Sequence, residues 1–326
     1  MAPQFTAQQF TTEEEPVCGA WQKLIQAALI LFLALTALVL VRCLMPPNAG
    51  ELQQQVQTLS AQVGELQQEQ AMPSLVLNKY RNSICYIFGI YQVGFPHQKA
   101  LQRTRISGTG FVVADGLIAT NRHVAEPWYG DPDSDVLVAK GATASLEKLV
   151  AYFPGSPAPI SLTTAALSPD GDLAVVRMNT RPDFDLPPLP LAAEKPNAGE
   201  LVAVVGYPMG VLGMMAKAPT PVYARLAFRR DDQGTASELA ALSLIRPSAT
   251  CGHLGDVVGD KLIYDAPTAH GASGGPVFNS RGEVIGVNAA YIDGFSGGTL
   301  GVSSQSLKPL IAQAKRYFVA STVTLR

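Results

Sequence analysis

The chain has 326 residues, 47% of them hydrophobic and only 15% charged, with 24 basic against 26 acidic side chains. That length holds one large domain with additional segments, and a net charge of −2 gives a nucleic-acid backbone nothing to bind. Four cysteines, Cys18, Cys43, Cys85 and Cys251, lack metal-ligand spacing.

Residues 1–20 are polar, carry Glu13-Glu14-Glu15 and show no apolar period, so a disordered tail is expected. From Leu24 to Val41, eighteen residues run without a charge, with Trp21 and Lys23 before them and Arg42 after. As an α-helix that run spans about 27 Å, close to a bilayer core. Residues 21–43 are therefore assigned to a transmembrane helix, with 24–41 in the membrane. A cleaved signal peptide is the rival, but its apolar region would be shorter and no small-x-small cleavage site follows. Lys23 and Arg42 nearly cancel under the positive-inside rule, so charge alone leaves the orientation open.

Met45-Pro46-Pro47-Asn48 breaks the helix. Leu52, Val56, Leu59, Val63 and Leu66 then recur at alternating steps of four and three among glutamines and glutamates. This is a heptad seam with valines at a and leucines at d, a choice that favours two strands. Residues 44–73 read as a helical stalk or an oligomerising coiled coil.

Residues 74–326 form the remaining domain. Short runs separated by turns, at Cys85–Tyr91, Gly110–Val113, Leu117–Thr120, Val136–Ala139 and Leu173–Met178, are expected strands of one sheet system. Asp115-Gly116 is a hairpin signal between two of them. The proline-rich stretch 181–196 reads as a connection. Leu201–Gly206, Leu262–Asp265, Pro276–Phe278 and Glu283–Tyr291 supply a second set. Between them, residues 207–260 hold Arg229-Arg230-Asp231-Asp232 and a short helix at Ala236–Leu244, and read as a solvated insertion rather than a lid. Leu307, Leu310, Ile311 and Ala314 mark a C-terminal helix.

The chemistry centres on His270-Gly271-Ala272-Ser273-Gly274-Gly275-Pro276. A serine framed by glycines can turn the N–H groups of Gly271 and Ser273 towards one point, beside the hydroxyl, where an oxyanion can develop. Such a serine needs a base and an acid that orients the base. His123 follows the run Leu117–Thr120. Asp172 opens the run Leu173–Met178, where an acid can be buried only if something pairs with it. Asp170, at the tip of the Asp170-Gly171 turn, is the rival acid.

The order His, Asp, Ser matches the Ser-His-Asp arrangement built on β-barrels. Thr120-Asn121-Arg122-His123-Val124, Asp172-Leu173-Ala174-Val175-Val176 and Gly271-Ala272-Ser273-Gly274-Gly275-Pro276 resemble trypsin-like serine proteases of the HtrA/Deg branch. Ser107-Gly108-Thr109-Gly110-Phe111-Val112 and Val205-Gly206-Tyr207-Pro208-Met209-Gly210 resemble further parts of that pattern, and the likeness covers about residues 80 to 318. It implies an all-β chymotrypsin-like fold of two six-stranded antiparallel barrels, with the site between them and the C-terminal helix packed on the second barrel. It further implies Ser273 as nucleophile, His123 as base, Asp172 as orienting acid, the N–H groups of Gly271 and Ser273 as oxyanion hole, and no metal or organic cofactor.

The position that selects a basic P1 residue in trypsin-like enzymes falls by counting on Pro267, with Asp265 two residues further back. A small or medium apolar P1 side chain is therefore expected, in a pocket drawn from Pro267, His270, Asn288 and Ala289. About fifty residues follow Ser273, which leaves no room for the PDZ domain many HtrA proteins carry there. Peptides or unfolded proteins are the expected substrates, a homo-oligomer is one of the two open readings of residues 44–73, and an extracytoplasmic site, periplasmic in a bacterium, is the expected location. Cys85 and Cys251 read as buried free thiols, with a disulfide between them the alternative outside the cytosol. The competing functional readings are a protease-like domain that grips peptides without cutting them, and a serine esterase, which the missing G-x-S-x-G elbow disfavours.

Overall fold

A computed structural model describes residues 17–44, 49–96, 102–291 and 298–323. The chain divides into two compact units, one ending at Gly64 and the other beginning at Glu65. Most of the expected tail and the break at Met45–Asn48 lie outside the described residues, while the end of that tail, from Val17, is already helical.

In the first unit, α1 (Val17–Leu44) contains the segment Trp21–Cys43, long and apolar enough to cross a membrane. Its large side chains, Leu24 to Val41, are exposed. Helix α2 (Ala49–Tyr80) carries the heptad residues Leu52, Val56, Leu59, Val63 and Leu66, also exposed. It passes through Pro73, which removes one helical hydrogen bond, and continues because Met72, Val76 and Tyr80 bury in the core of the second unit. Tyr80 stacks on Phe278 at 5.4 Å between ring centroids.

The second unit holds two closed antiparallel barrels. The first is built from β1 (Ile84–Gly94), β2 (Gln102–Ala114), β3 (Leu117–Thr120), β4 (Thr143–Tyr152), β5 (Ile160–Leu167) and β6 (Ala174–Met178), in the order β1-β2-β3-β6-β5-β4. The second is built from β7 (Leu201–Gly206), β8 (Ser248–Val258), β9 (Lys261–Tyr264), β10 (Pro276–Phe278), β11 (Val284–Tyr291) and β12 (Thr299–Ser303), in the order β10-β11-β12-β9-β8-β7. Strand alternation divides the apolar residues between cores. Cys85, Ile87, Val112 and Ile118 fill barrel one, and Val202, Val204, Leu262 and Val277 fill barrel two. Their neighbours Ile84, Tyr86, Phe88, Phe111, Ala203 and Val205 face a third, shared core. That shared core holds the barrels in one relation and so fixes anything built between them.

Four expectations are corrected. Val136–Ala139 is not a strand but the end of helix α4 (Pro132–Ala139), which follows the one-turn helix α3 (Arg122–Ala125). Asp131 caps α4 by accepting from the Ser134 N–H, and Pro132 sits in its first turn, a start signal that outweighs the local β propensity of Val136 and Val138.

Secondly, residues 207–260 are not a solvated insertion. They hold α5 (Gly210–Ala216), α6 (Thr220–Leu226), α7 (Asp232–Ala241) and the barrel strand β8. Val211, Met214, Met215, Leu226, Leu239 and Ala240 are buried in the shared core. The helices are tied to barrel one by Arg105–Asp232 at 2.8 Å, Lys148 to Gln233 at 3.1 Å and Tyr152 to Ser237 at 3.1 Å.

Thirdly, the C-terminal helix α8 (Leu307–Val323) packs on β5 and β6 of barrel one, with Arg177 donating to the Ala314 carbonyl at 2.7 Å. Finally, Cys85 and Cys251 are both free, but only Cys85 is buried. Burial pushes its thiol well above the ordinary cysteine pKa, so it stays protonated.

Candidate active site

β3 delivers the chain to Asn121, after which α3 presents His123. β6 begins at Ala174, just after Asp172. Because β3 and β6 pair from Leu117↔Arg177 to Thr120↔Ala174, their ends place the two residues side by side. His123 Nδ1 lies 2.8 Å from Asp172 Oδ2, and the His123 main-chain N–H donates to Asp172 Oδ1 at 3.0 Å. Asp170 is exposed in the preceding turn.

Burial disfavours the Asp172 carboxylate. The bonds and charge of His123, with the N–H groups of His123 and Arg122, outweigh it and hold its pKa below the ordinary carboxylate value. An ionised Asp172 accepts an N–H at Nδ1, which leaves Nε2 of a neutral imidazole as the proton acceptor.

Two neighbours that sequence reasoning did not single out fix this pair. Asn121, fully buried, donates from Nδ2 to the Asp172 carbonyl at 2.8 Å. Arg122 donates to the Ser168 carbonyl at 2.9 Å, bonds Glu126 at 2.7 Å and lies over the Tyr129 ring, bracing the turn that carries Asp172. Their signal lay within Thr120-Asn121-Arg122-His123-Val124: a polar pair between an apolar strand and the histidine.

Ser273 lies in the loop before β10. Gly271 and Gly274 adopt φ of 91° and 88°, and neither tolerates a side chain. A Cβ on Gly271 would come within 2.6 Å of the Tyr207 carbonyl, and one on Gly274 would collide with the Thr109 carbonyl and the Thr120 hydroxyl. Among the described residues, neither the Gly271 nor the Ser273 N–H has an acceptor. The Ser273 hydroxyl donates to the Ala289 carbonyl at 3.0 Å. Ala289 is free to accept because the β11–β12 register shifts between Asn288 and Ala290.

Of the expected pocket residues, Pro267 and His270 are exposed and Ala289 is half-buried. Asn288 is buried, accepting from the Tyr264 hydroxyl at 2.7 Å and donating to Thr268 at 3.2 Å. The Asp265 carboxylate accepts from the His253 N–H on β8 at 2.5 Å.

Two closed six-stranded barrels with a His–Asp pair on one and a glycine-framed serine loop on the other define the chymotrypsin-like class. The sequence pattern of the family described as "Trypsin-like peptidase domain" matches residues 108–287. This chain belongs to the trypsin-like peptidase domain family. It is 28% identical over 214 residues to a probable periplasmic serine endoprotease DegP-like of Bartonella henselae, covering 64% of this chain and 33% of that protein. It is also 28% identical over 211 residues to the mitochondrial serine protease HTRA2 of Bos taurus, covering 64% and 36%. The chain thus spans about a third of the length of these relatives. Among solved structures, the Rv3671c protease of M. tuberculosis in its active form aligns at 18% identity with a TM-score of 0.47, covering 73% of this chain and 83% of that one.

Proposed function

We propose that the chain is a serine endopeptidase that cleaves peptide bonds with Ser273 as nucleophile, His123 as general base and acid, and Asp172 as orienting carboxylate. The observation that carries this reading is the Asp172 carboxylate bonded to both His123 Nδ1 and the His123 main-chain N–H. In the proposed reaction the Ser273 hydroxyl leaves the Ala289 carbonyl, gives its proton to His123 Nε2, and forms a bond to the scissile carbonyl carbon. The carbonyl oxygen takes the negative charge and is met by the N–H groups of Gly271 and Ser273. His123 then returns the proton to the leaving amine, and water repeats the sequence on the acyl-enzyme. No step calls on a metal or organic cofactor.

The engagement of Asp265 with the backbone of β8 supports the expectation of a small or medium apolar P1 side chain rather than a basic one. Pro267, His270, Asn288 and Ala289 stay the proposed pocket. The reading of α1 as a single membrane anchor, with the peptidase outside the cytoplasm, is supported by its exposed apolar surface and by relatives described as periplasmic. The exposed heptad residues of α2 are consistent with a homo-oligomer.

The test is turnover of extended peptide libraries by the purified chain. Cleavage after small apolar residues that disappears in Ser273→Ala supports the assignment, and cleavage that persists in the folded variant removes it.

A further inference from the structure

We infer that Thr109 is a positioning residue for the oxyanion hole, acting through the Gly271 carbonyl. This rests on the reading of Ser273 as nucleophile and of the Gly271 and Ser273 N–H groups as its oxyanion donors. In a trans peptide the C=O and the following N–H belong to one rigid unit, so holding the Gly271 carbonyl fixes the Gly271–Ala272 peptide, whose N–H donates to the Ala269 carbonyl at 3.0 Å and which links the peptide carrying the Gly271 N–H to the one carrying the Ser273 N–H. Every carbonyl from His270 to Ser273 is held. His270 accepts from Met209 N–H at 2.6 Å, Gly271 from Thr109 Oγ1 at 2.7 Å, Ala272 from Gly275 N–H at 3.0 Å and Ser273 from Thr109 N–H at 2.7 Å. Three of these four donors are main-chain groups away from Thr109 or at its own amide. The Thr109 hydroxyl is the one side chain in the set.

Its position is fully determined. Thr109 is completely buried in β2, its hydroxyl accepts from the Tyr207 N–H at 3.0 Å while donating to Gly271, and its carbonyl accepts from the Thr120 hydroxyl at 2.7 Å. β-Branching restricts χ1, so the donor direction is set by the strand. The grip matters because Gly271, at a φ of 91°, has no side chain to resist rotation of its flanking peptides. A barrel-one strand thus holds the barrel-two loop in the shape that aims two N–H groups at one point.

The experiment compares the full chain in detergent with Thr109→Val, which keeps the shape and removes the hydroxyl, and Thr109→Ser, which keeps the hydroxyl. The readouts are kcat and KM on one peptide, and affinity for a peptidyl trifluoromethyl ketone, whose hemiketal places an oxyanion in the hole. Loss of a whole oxyanion donor lowers kcat about 10²–10³-fold. Misaiming one should lower it about 10- to 100-fold, with KM nearly unchanged and ketone affinity falling in parallel. Thr109→Ser should stay within about threefold of the parent chain. Were the hydroxyl only a satisfied buried polar group, melting temperature would fall while kcat per folded molecule stayed constant, and that result overturns the inference. So does a serine variant as impaired as the valine one. Should Thr109→Val fail to fold, Thr109→Ala takes its place, with parental kcat again the contrary result. A parent chain that neither cleaves peptide nor reacts at Ser273 refutes the underlying reading, whereas an active parent with an unaffected valine variant refutes this inference alone.

Discussion

Asp172 carries two separable consequences at the scale of single residues. Asp172→Asn presents an N–H₂ where a carboxylate accepted a bond, so the imidazole favours the tautomer with its proton facing Ser273. A fall in kcat of about 10⁴-fold is expected at neutral pH, the size of the corresponding change in a well-studied Ser-His-Asp triad. Asp170→Asn, in the exposed turn, should change kcat little. Steady-state kinetics of both variants on one peptide checks this, and a crippled Asp170→Asn would move the acid two residues back. The second consequence is acid stability. Because the folded pKa of Asp172 is lowered, its contribution is fully present above the ordinary carboxylate value near pH 4 and is lost as pH falls through the lowered one. Thermal melts between pH 2 and 6 should show a shallower acid limb for Asp172→Asn than for the parent.

Elements show where sequence patterns suffice and where packing decides. β3, β7 and β10 begin and end where their apolar runs do, because β3 and β10 are buried along their whole length and β7 at every residue after Leu201. β4 and β8 were not legible. β4 is exposed or half-buried over its first six residues and shows an apolar run only at its end, Leu149–Tyr152, while β8 carries Gly252, His253, Gly255 and Asp256 with a single buried residue and no apolar run. The serine loop and the His–Asp pair were legible because the left-handed backbone at Gly271 and Gly274 demands glycine and the proposed proton transfer calls for histidine and aspartate. Asn121 and Thr109 were not, since their work consists of single hydrogen bonds to carbonyls distant in sequence. The helical segment before β8 misled for a related reason: its buried residues come from three short helices, none long enough to establish a period. If α7 is core, Leu239→Ala should cost about 2–5 kcal/mol in urea unfolding, whereas a solvated helix would lose under about 0.5 kcal/mol. The same cost is expected for Met72→Ala, which tests whether the end of α2 belongs to the folded peptidase unit.

For the whole molecule, the barrels are joined by more than their shared core. α8 follows barrel two in sequence yet packs on barrel one, and the helices before β8 follow β7 of barrel two and are tied to β2 and β4. With the proposed base and nucleophile on different barrels, such cross-ties would help the reaction, because relative motion of the barrels would separate the reacting atoms. At the other end of the chain, α1 predicts a particle that stays with the membrane. The full chain should resist carbonate extraction, and mass measurement of the intact protein should retain residues 24–41; a mature N-terminus after residue 41 would replace the anchor with a removed leader.

Everything proposed for the reaction depends on a Ser273 hydroxyl activated by His123 and Asp172. Reaction with a fluorophosphonate probe, read by mass spectrometry of the modified peptide, tests it most directly. One adduct is expected, on Ser273, formed rapidly by the parent chain and slowed by orders of magnitude in His123→Ala and Asp172→Asn. A folded parent chain left unlabelled, or labelled at Ser273 equally fast in those two variants, would contradict it.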